Sequence, residues 1–164
     1  MRKGILIILT LIPVIAGYIL NLTLMISEIG TLFYYLIPVV IMGFWFYLGK
    51  LYSETTWHIV PALLIGNAVG ILSLLLYIWQ FFWNSDDTRN LFLAGLSQMF
   101  VASGPTFLTA KIAILFEPQK NMIGNATTTG IQIIGVVLMI LIFAAGYIWS
   151  VANRRKQEHH TDKL

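Results

Sequence analysis

The 164-residue chain is 58% hydrophobic and only 10% charged, whereas soluble domains carry about a quarter charged residues. That balance excludes an ordinary soluble globular protein, a disordered chain and a nucleic-acid-binding module, and leaves an integral membrane protein. The net charge of +3 comes from ten basic and seven acidic residues, and the basic excess lies in the tails: Arg2 and Lys3, then Arg154, Arg155, Lys156 and Lys163.

Five apolar segments follow in chain order, at about residues 4–25, 31–52, 57–83, 91–116 and 127–151. A helix needs about 20 apolar residues to cross the hydrocarbon layer, and each segment meets that length. Barrel strands would alternate polar and apolar residues, which these runs do not. The expectation is an all-α, polytopic helical bundle forming one domain over residues 1–164, with residues 153–164 as a basic, solvated tail. Composition suggests a small protein of the bacterial plasma membrane.

The first segment begins with a basic pair, as a signal peptide does. Its run is too long and ends without a small-x-small cleavage site, so it reads as a retained helix. It carries a stripe of Thr10, Pro13, Gly17 and Asn21 at helical spacing. Around the end of the second segment, Trp45, Tyr47, Tyr52 and Trp57 form an expected interfacial aromatic belt. The loop Ser53-Glu54-Thr55-Thr56 is expected to cap the third segment, and Asp86-Asp87-Thr88 the fourth. The third segment has its own stripe, Ala62, Gly66, Gly70, Ser73 and Tyr77, with Asn67 beside it; the fifth has Thr128, Gln132, Gly135, Met139, Ile142, Gly146 and Ser150. Lipid is as apolar as leucine, so small-residue stripes serve first to let helices approach one another.

The fourth segment poses a conflict. Five crossings place Arg2, Lys3, Lys50 and Lys120 on one side, against Arg89, Arg154, Arg155, Lys156 and Lys163 on the other. Four against five gives the positive-inside rule almost nothing to act on. A segment that enters and leaves on one face instead puts seven cations inside and leaves only Arg89 and Lys120 outside. Ser103-Gly104-Pro105-Thr106 supplies a break for such a re-entrant hairpin. However, Ala94, Gln98, Ala102, Thr106, Thr109 and Ala113 keep helical phase through the break, as expected of one kinked helix. Sequence therefore favours five crossings, with Gly104 and Pro105 as a hinge and the C-terminal tail cytoplasmic.

Within the spans, Asn67, Gln98, Lys111 and Gln132 are the costly residues and the candidate substrate-binding set. Interhelical bonding is the preferred role for the three amides, and snorkelling toward the headgroups for Lys111. Glu54 and His58, four residues apart, would share a helical face if the third helix began early, giving a candidate acid–base pair. Cysteine is absent, and no phosphate-cradling loop, His-Glu-x-x-His or Gly-x-Ser-x-Gly occurs, so no metal or cofactor is predicted. The expected partners are the lipid bilayer and, through the small-residue faces, other membrane subunits or a second copy. Nucleic acid is not among them. The functional expectation is a non-enzymatic transport or channel subunit or an accessory partner of a larger membrane complex. The alternative is a membrane-embedded enzyme acting on lipid-linked substrates through Glu54 and His58.

Overall fold

A computed structural model describes residues 3–85, 87–115 and 124–161. Glu117 and Lys120, with most of the 117–126 connection, and Asp86, Arg2 and Lys163 lie outside the described residues. The described residues are helical and contain no strand: α1 (Lys3–Leu9), α2 (Ile12–Thr23), α3 (Ser27–Ser53), α4 (Ile59–Gly66), α5 (Ala68–Ile78) with a π-turn (Trp79–Trp83), α6 (Leu91–Ala102), α7 (Thr106–Ile114) and α8 (Asn125–Thr161). Three helical stretches, Lys3–Thr23, Gly30–Ser53 and Asn125–Gln157, are long and apolar enough to cross a membrane. A fourth arises if Ile59–Gly66 and Ala68–Trp83, bent by 52°, form one broken span.

α3 and α8 lie side by side and run in the same direction. Gly49 meets the Phe143 backbone and Gly146 meets the Phe46 backbone so closely that a Cβ at either glycine would strike the facing carbonyl oxygen. Further on, Lys50 reaches the Trp149 ring and Arg154 donates to Ser53. Glycine is what permits two backbones to touch, and dispersion along that seam replaces the hydrophobic drive that lipid does not supply. The stripe of the third segment works the same way: Ala62, Gly66, Gly70, Ser73 and Tyr77 are all buried. Gly66 receives the Phe143 ring and Gly70 the Phe100 ring. In α2, Gly17 lies against the Met99 backbone of α6.

Three to four candidate spans are therefore present among the described residues, and Leu91–Ala102 of the fourth expected segment is a shorter apolar helix. α6 pairs antiparallel with α5, since Asn90 N–H donates to Gln80 Oε1 (3.0 Å) at one end and Phe100 covers Gly70 at the other. Its last turn reaches Gly135, and Gly104 sits beside Met139, near the middle of the Asn125–Gln157 span. α7 lies against the start of α8: Thr109, Ile112 and Ala113 face Thr127, Gly130, Ile131 and Ile134. Ser103-Gly104-Pro105 separates α6 from α7. Of the stripe that keeps phase through this break, Ala94 on α6 and Thr109 on α7 are buried.

Lys3 and Arg154 both reach the region that follows α3, at one end of the bundle. Lys3 Nζ stands 5.2 Å from the centre of the Trp57 ring, Tyr147 Oη donates to the Trp57 carbonyl (3.0 Å), and Arg154 bonds Ser53 Oγ (2.8 Å). We call this the basic end. The expected tail is not a loose extension, because α8 continues unbroken to Thr161. Caps also differ from expectation: His58, not the Ser/Thr cluster, is the N-cap of α4, and Asn90 caps α6 by accepting from Phe92 N (3.0 Å) and Leu93 N (3.2 Å).

Candidate functional site

The α4–α5 bend exposes backbone carbonyls in the interior, where an unsatisfied polar group costs several kcal/mol. Asn67 occupies the break and is 1% exposed. Its Nδ2 donates to the Leu63 carbonyl (3.0 Å), and its Oδ1 accepts from Trp45 Nε1 (3.1 Å). Both ends of the amide are thus used, one within its own helix and one across to α3. Trp45 is fully buried and does not belong to the interfacial belt. It is the hub of an aromatic cluster with Phe100 (5.5 Å, edge-on) and Phe143 (5.9 Å), and Phe143 also meets Tyr52 edge-on at 5.1 Å. Such tilted and edge-on pairs add to plain burial. Sequence placed Tyr52 in the belt as well, yet it is fully buried; Tyr47, Trp79, Trp83 and Trp149 are exposed as a belt requires.

The turn at Gly104 and Pro105, both buried, is mended by hydroxyls rather than by an amide. Ser103 Oγ donates to the Phe100 carbonyl (3.0 Å), Thr106 Oγ1 to that of Val101, and Thr109 Oγ1 to those of Thr106 (3.2 Å) and Pro105 (3.4 Å). Proline contributes no N–H to satisfy. The polar run at this break is therefore accounted for group by group as backbone repair.

The remaining candidates do not meet. Gln98 Nε2 donates to Ala94 of its own helix (3.1 Å). Lys111 is exposed, with Nζ 5.2 Å from the centre of the Tyr35 ring on α3, a cation–π contact. Gln132 is buried on α8, and its Oε1 has no hydrogen-bond partner. Of the interhelical bonding expected of the three amides, Asn67 makes its bond to Trp45 and not to Gln98 or Gln132. Glu54 ends α3 and His58 precedes α4, so the helix does not begin early enough to give them a common face; both are exposed.

Several grooves open on the bundle surface among the described residues. One of about 190 Å³ lies between α7 and α8, one of about 240 Å³ between α2 and α3, and one of about 550 Å³ between α2 and α6, all with apolar walls. A fourth, also about 550 Å³, lies at the basic end and includes Trp57, His58, Tyr147 and Arg155. Asn67, Gln98 and Lys111 line none of these four. Sequence reading missed Gln80, buried in the π-turn, whose side chain holds Asn90 and whose carbonyl accepts from Arg89 Nε (3.1 Å). It also missed Trp45 as a donor, although Ile41, Trp45, Leu48 and Tyr52 recur at helical spacing on one buried face. Compared with known protein families, curated proteins and solved structures, the chain matches none.

Proposed function

We propose that the chain is a four-crossing membrane protein, and that it serves as a non-enzymatic accessory subunit of a larger membrane assembly. The observation that carries this reading is the closed centre. Trp45, Phe100 and Phe143 fill the space where a pathway would run, and Asn67 is fully engaged in holding that cluster to the α4–α5 break. Transport by the chain alone would need a polar cavity reaching the intramembrane amides or Lys111. The separate locations of Glu54 and His58 weigh against the acid–base pair.

Four crossings reconcile the charge distribution. With both tails and Lys50 on one side, seven cations oppose Arg89 and Lys120, and the positive-inside rule places the basic end in the cytoplasm. The break at Ser103-Gly104-Pro105 is tolerable at membrane depth because its backbone is shielded by α2, α5 and α8 and its carbonyls are bonded. Apolar grooves facing outward on α2, α6 and α8 suit neighbouring helices.

The chain has no cysteine, so single introduced cysteines report topology without background. Glu54→Cys and Lys156→Cys are expected to label from the cytoplasmic side, and Met25→Cys, Asp87→Cys and Asn125→Cys from the other. Labelling of Asn125→Cys on the Glu54 side would restore five crossings. For the subunit role, the tagged chain in gently solubilised native membranes is expected to migrate with a different membrane protein. Migration as a lone 18.5 kDa chain or a homo-oligomer, or ion flux through liposomes holding the purified chain alone, overturns it.

A further inference from the structure

The groove at the basic end differs from the three apolar ones in having two chemical characters. Its mouth carries His58 and Arg155, both exposed, and its wall is Ile59, Ile148 and Val151. The floor is fixed, because the Tyr147 hydroxyl is committed to the Trp57 carbonyl at 3.0 Å. Arg154 ties this part of α8 to Ser53 Oγ at 2.8 Å, which holds the next residue, Arg155, at the opening. The His58 side chain makes no capping bond to α4, so its imidazole is available. Lys3, over the Trp57 ring, adds a third cation close by.

We propose that this groove holds one anionic phospholipid, its phosphate taken by the Arg155 guanidinium and the His58 imidazole N–H, and an acyl chain laid along Ile59, Ile148 and Val151. The proposal rests on the membrane placement above, which sets this end at the headgroup level. The amphipathic lining selects the occupant. A free inorganic anion would leave the aliphatic wall exposed to water. A zwitterionic headgroup would bring its own cation among Lys3, Arg154 and Arg155, at a unit-charge penalty that an anionic headgroup avoids. Guanidinium suits phosphate because its planar fork donates two parallel bonds.

The test is titration of the purified full-length chain in mild detergent with acyl-labelled phosphatidylglycerol, with phosphatidylcholine as comparator. Saturable binding is expected at one lipid per chain, tighter for phosphatidylglycerol by about fivefold or more, the effect of a single basic residue at an anionic surface. Arg155→Gln with His58→Gln is expected to abolish that preference. Val151→Trp, which fills the groove without changing charge, is expected to weaken both lipids. Lys156→Gln, an equal charge change outside the groove, is expected to leave binding unaltered.

The proposal is overturned if Lys156→Gln weakens binding as much as Arg155→Gln does, because the attraction would then be diffuse. It is equally overturned if Val151→Trp has no effect, or if millimolar inorganic phosphate displaces the lipid completely, which would make this a free-anion site. No partner subunit is present in the assay. Loss of lipid binding therefore counts against the groove alone, and flux by the purified chain counts against the subunit role alone.

Discussion

Two breaks interrupt the helices of this bundle at depth, and they are mended in opposite ways. At Asn67 the chain bends by 52° between α4 and α5; at Ser103-Gly104-Pro105 the proline interrupts the hydrogen-bond ladder between α6 and α7. At the first break one amide adds a second bond to the Leu63 carbonyl, which already takes the Asn67 N–H, while its oxygen takes the Trp45 N–H. At the second, three hydroxyls donate to four carbonyls, of which those of Val101 and Pro105 also accept backbone N–H groups. The contrast teaches that repair by one side chain concentrates the energetics in one residue, whereas repair by several short hydroxyls distributes it.

The largest effect is therefore expected at the first break. Asn67→Leu leaves the buried Trp45 N–H without an acceptor, a loss of about 3 kcal/mol at the upper end for a stranded buried donor. Trp45→Phe removes the donor but leaves the Asn67 oxygen stranded, and is expected to cost less. The double variant should be less destabilised than the sum of the singles, because the orphaned partner is removed too. Unfolding by denaturing detergent, followed by helix content, measures all three. Additive costs would show that the Trp45–Asn67 bond is not what holds the bend.

At the second break each hydroxyl should matter little. Intramembrane side-chain hydrogen bonds average about 0.6 kcal/mol. Ser103→Ala alone should fall near that value, and Ser103→Ala with Thr106→Val and Thr109→Val should lose about 2 kcal/mol if the three contribute independently. The topology should survive, since Pro105 and the contact of Gly104 with Met139 remain; Asn125→Cys in the triple background should label on the same side as it does without the three substitutions. A switch of that label would show that the hydroxyls, rather than the turn, decide topology.

These two breaks also mark how far the sequence was readable. Apolar runs of spanning length and the small-residue stripes are local signals, and Ala62, Gly66, Gly70, Ser73 and Tyr77 are buried together as their spacing implied. The break at Gly104 and Pro105 was legible too, since α6 ends at Ala102 and α7 begins at Thr106. The charges carried a second local signal, since Lys3 and Arg154 both reach the region that follows α3. Trp45, by contrast, misled. Near a segment end, tryptophan reads as an interfacial anchor, and only the position of Asn67 on a neighbouring helix makes it an interior donor. Of the candidate site residues, the amides were found by type, but their partners were set by tertiary placement.

The smallest expected effect is at Gln132, which sets a third amide beside the two breaks. Asn67 mends a bend and Gln98 bonds its own helix, but Gln132 is buried with its Oε1 unpartnered. An apolar replacement of similar shape removes a stranded acceptor, so Gln132→Leu should stabilise the isolated chain by about 1 kcal/mol, opposite in sign to Asn67→Leu. If Gln132 is retained for contact with a partner subunit, the same variant should also dissociate from the assembly in native membranes while unfolding at higher detergent. Destabilisation by Gln132→Leu would instead make this amide a structural bond-former of the Asn67 kind, with a bound water supplying the partner for Oε1. Energetics and assembly then separate the two uses of an intramembrane amide: closing the bundle on itself, or keeping one polar atom for a neighbour.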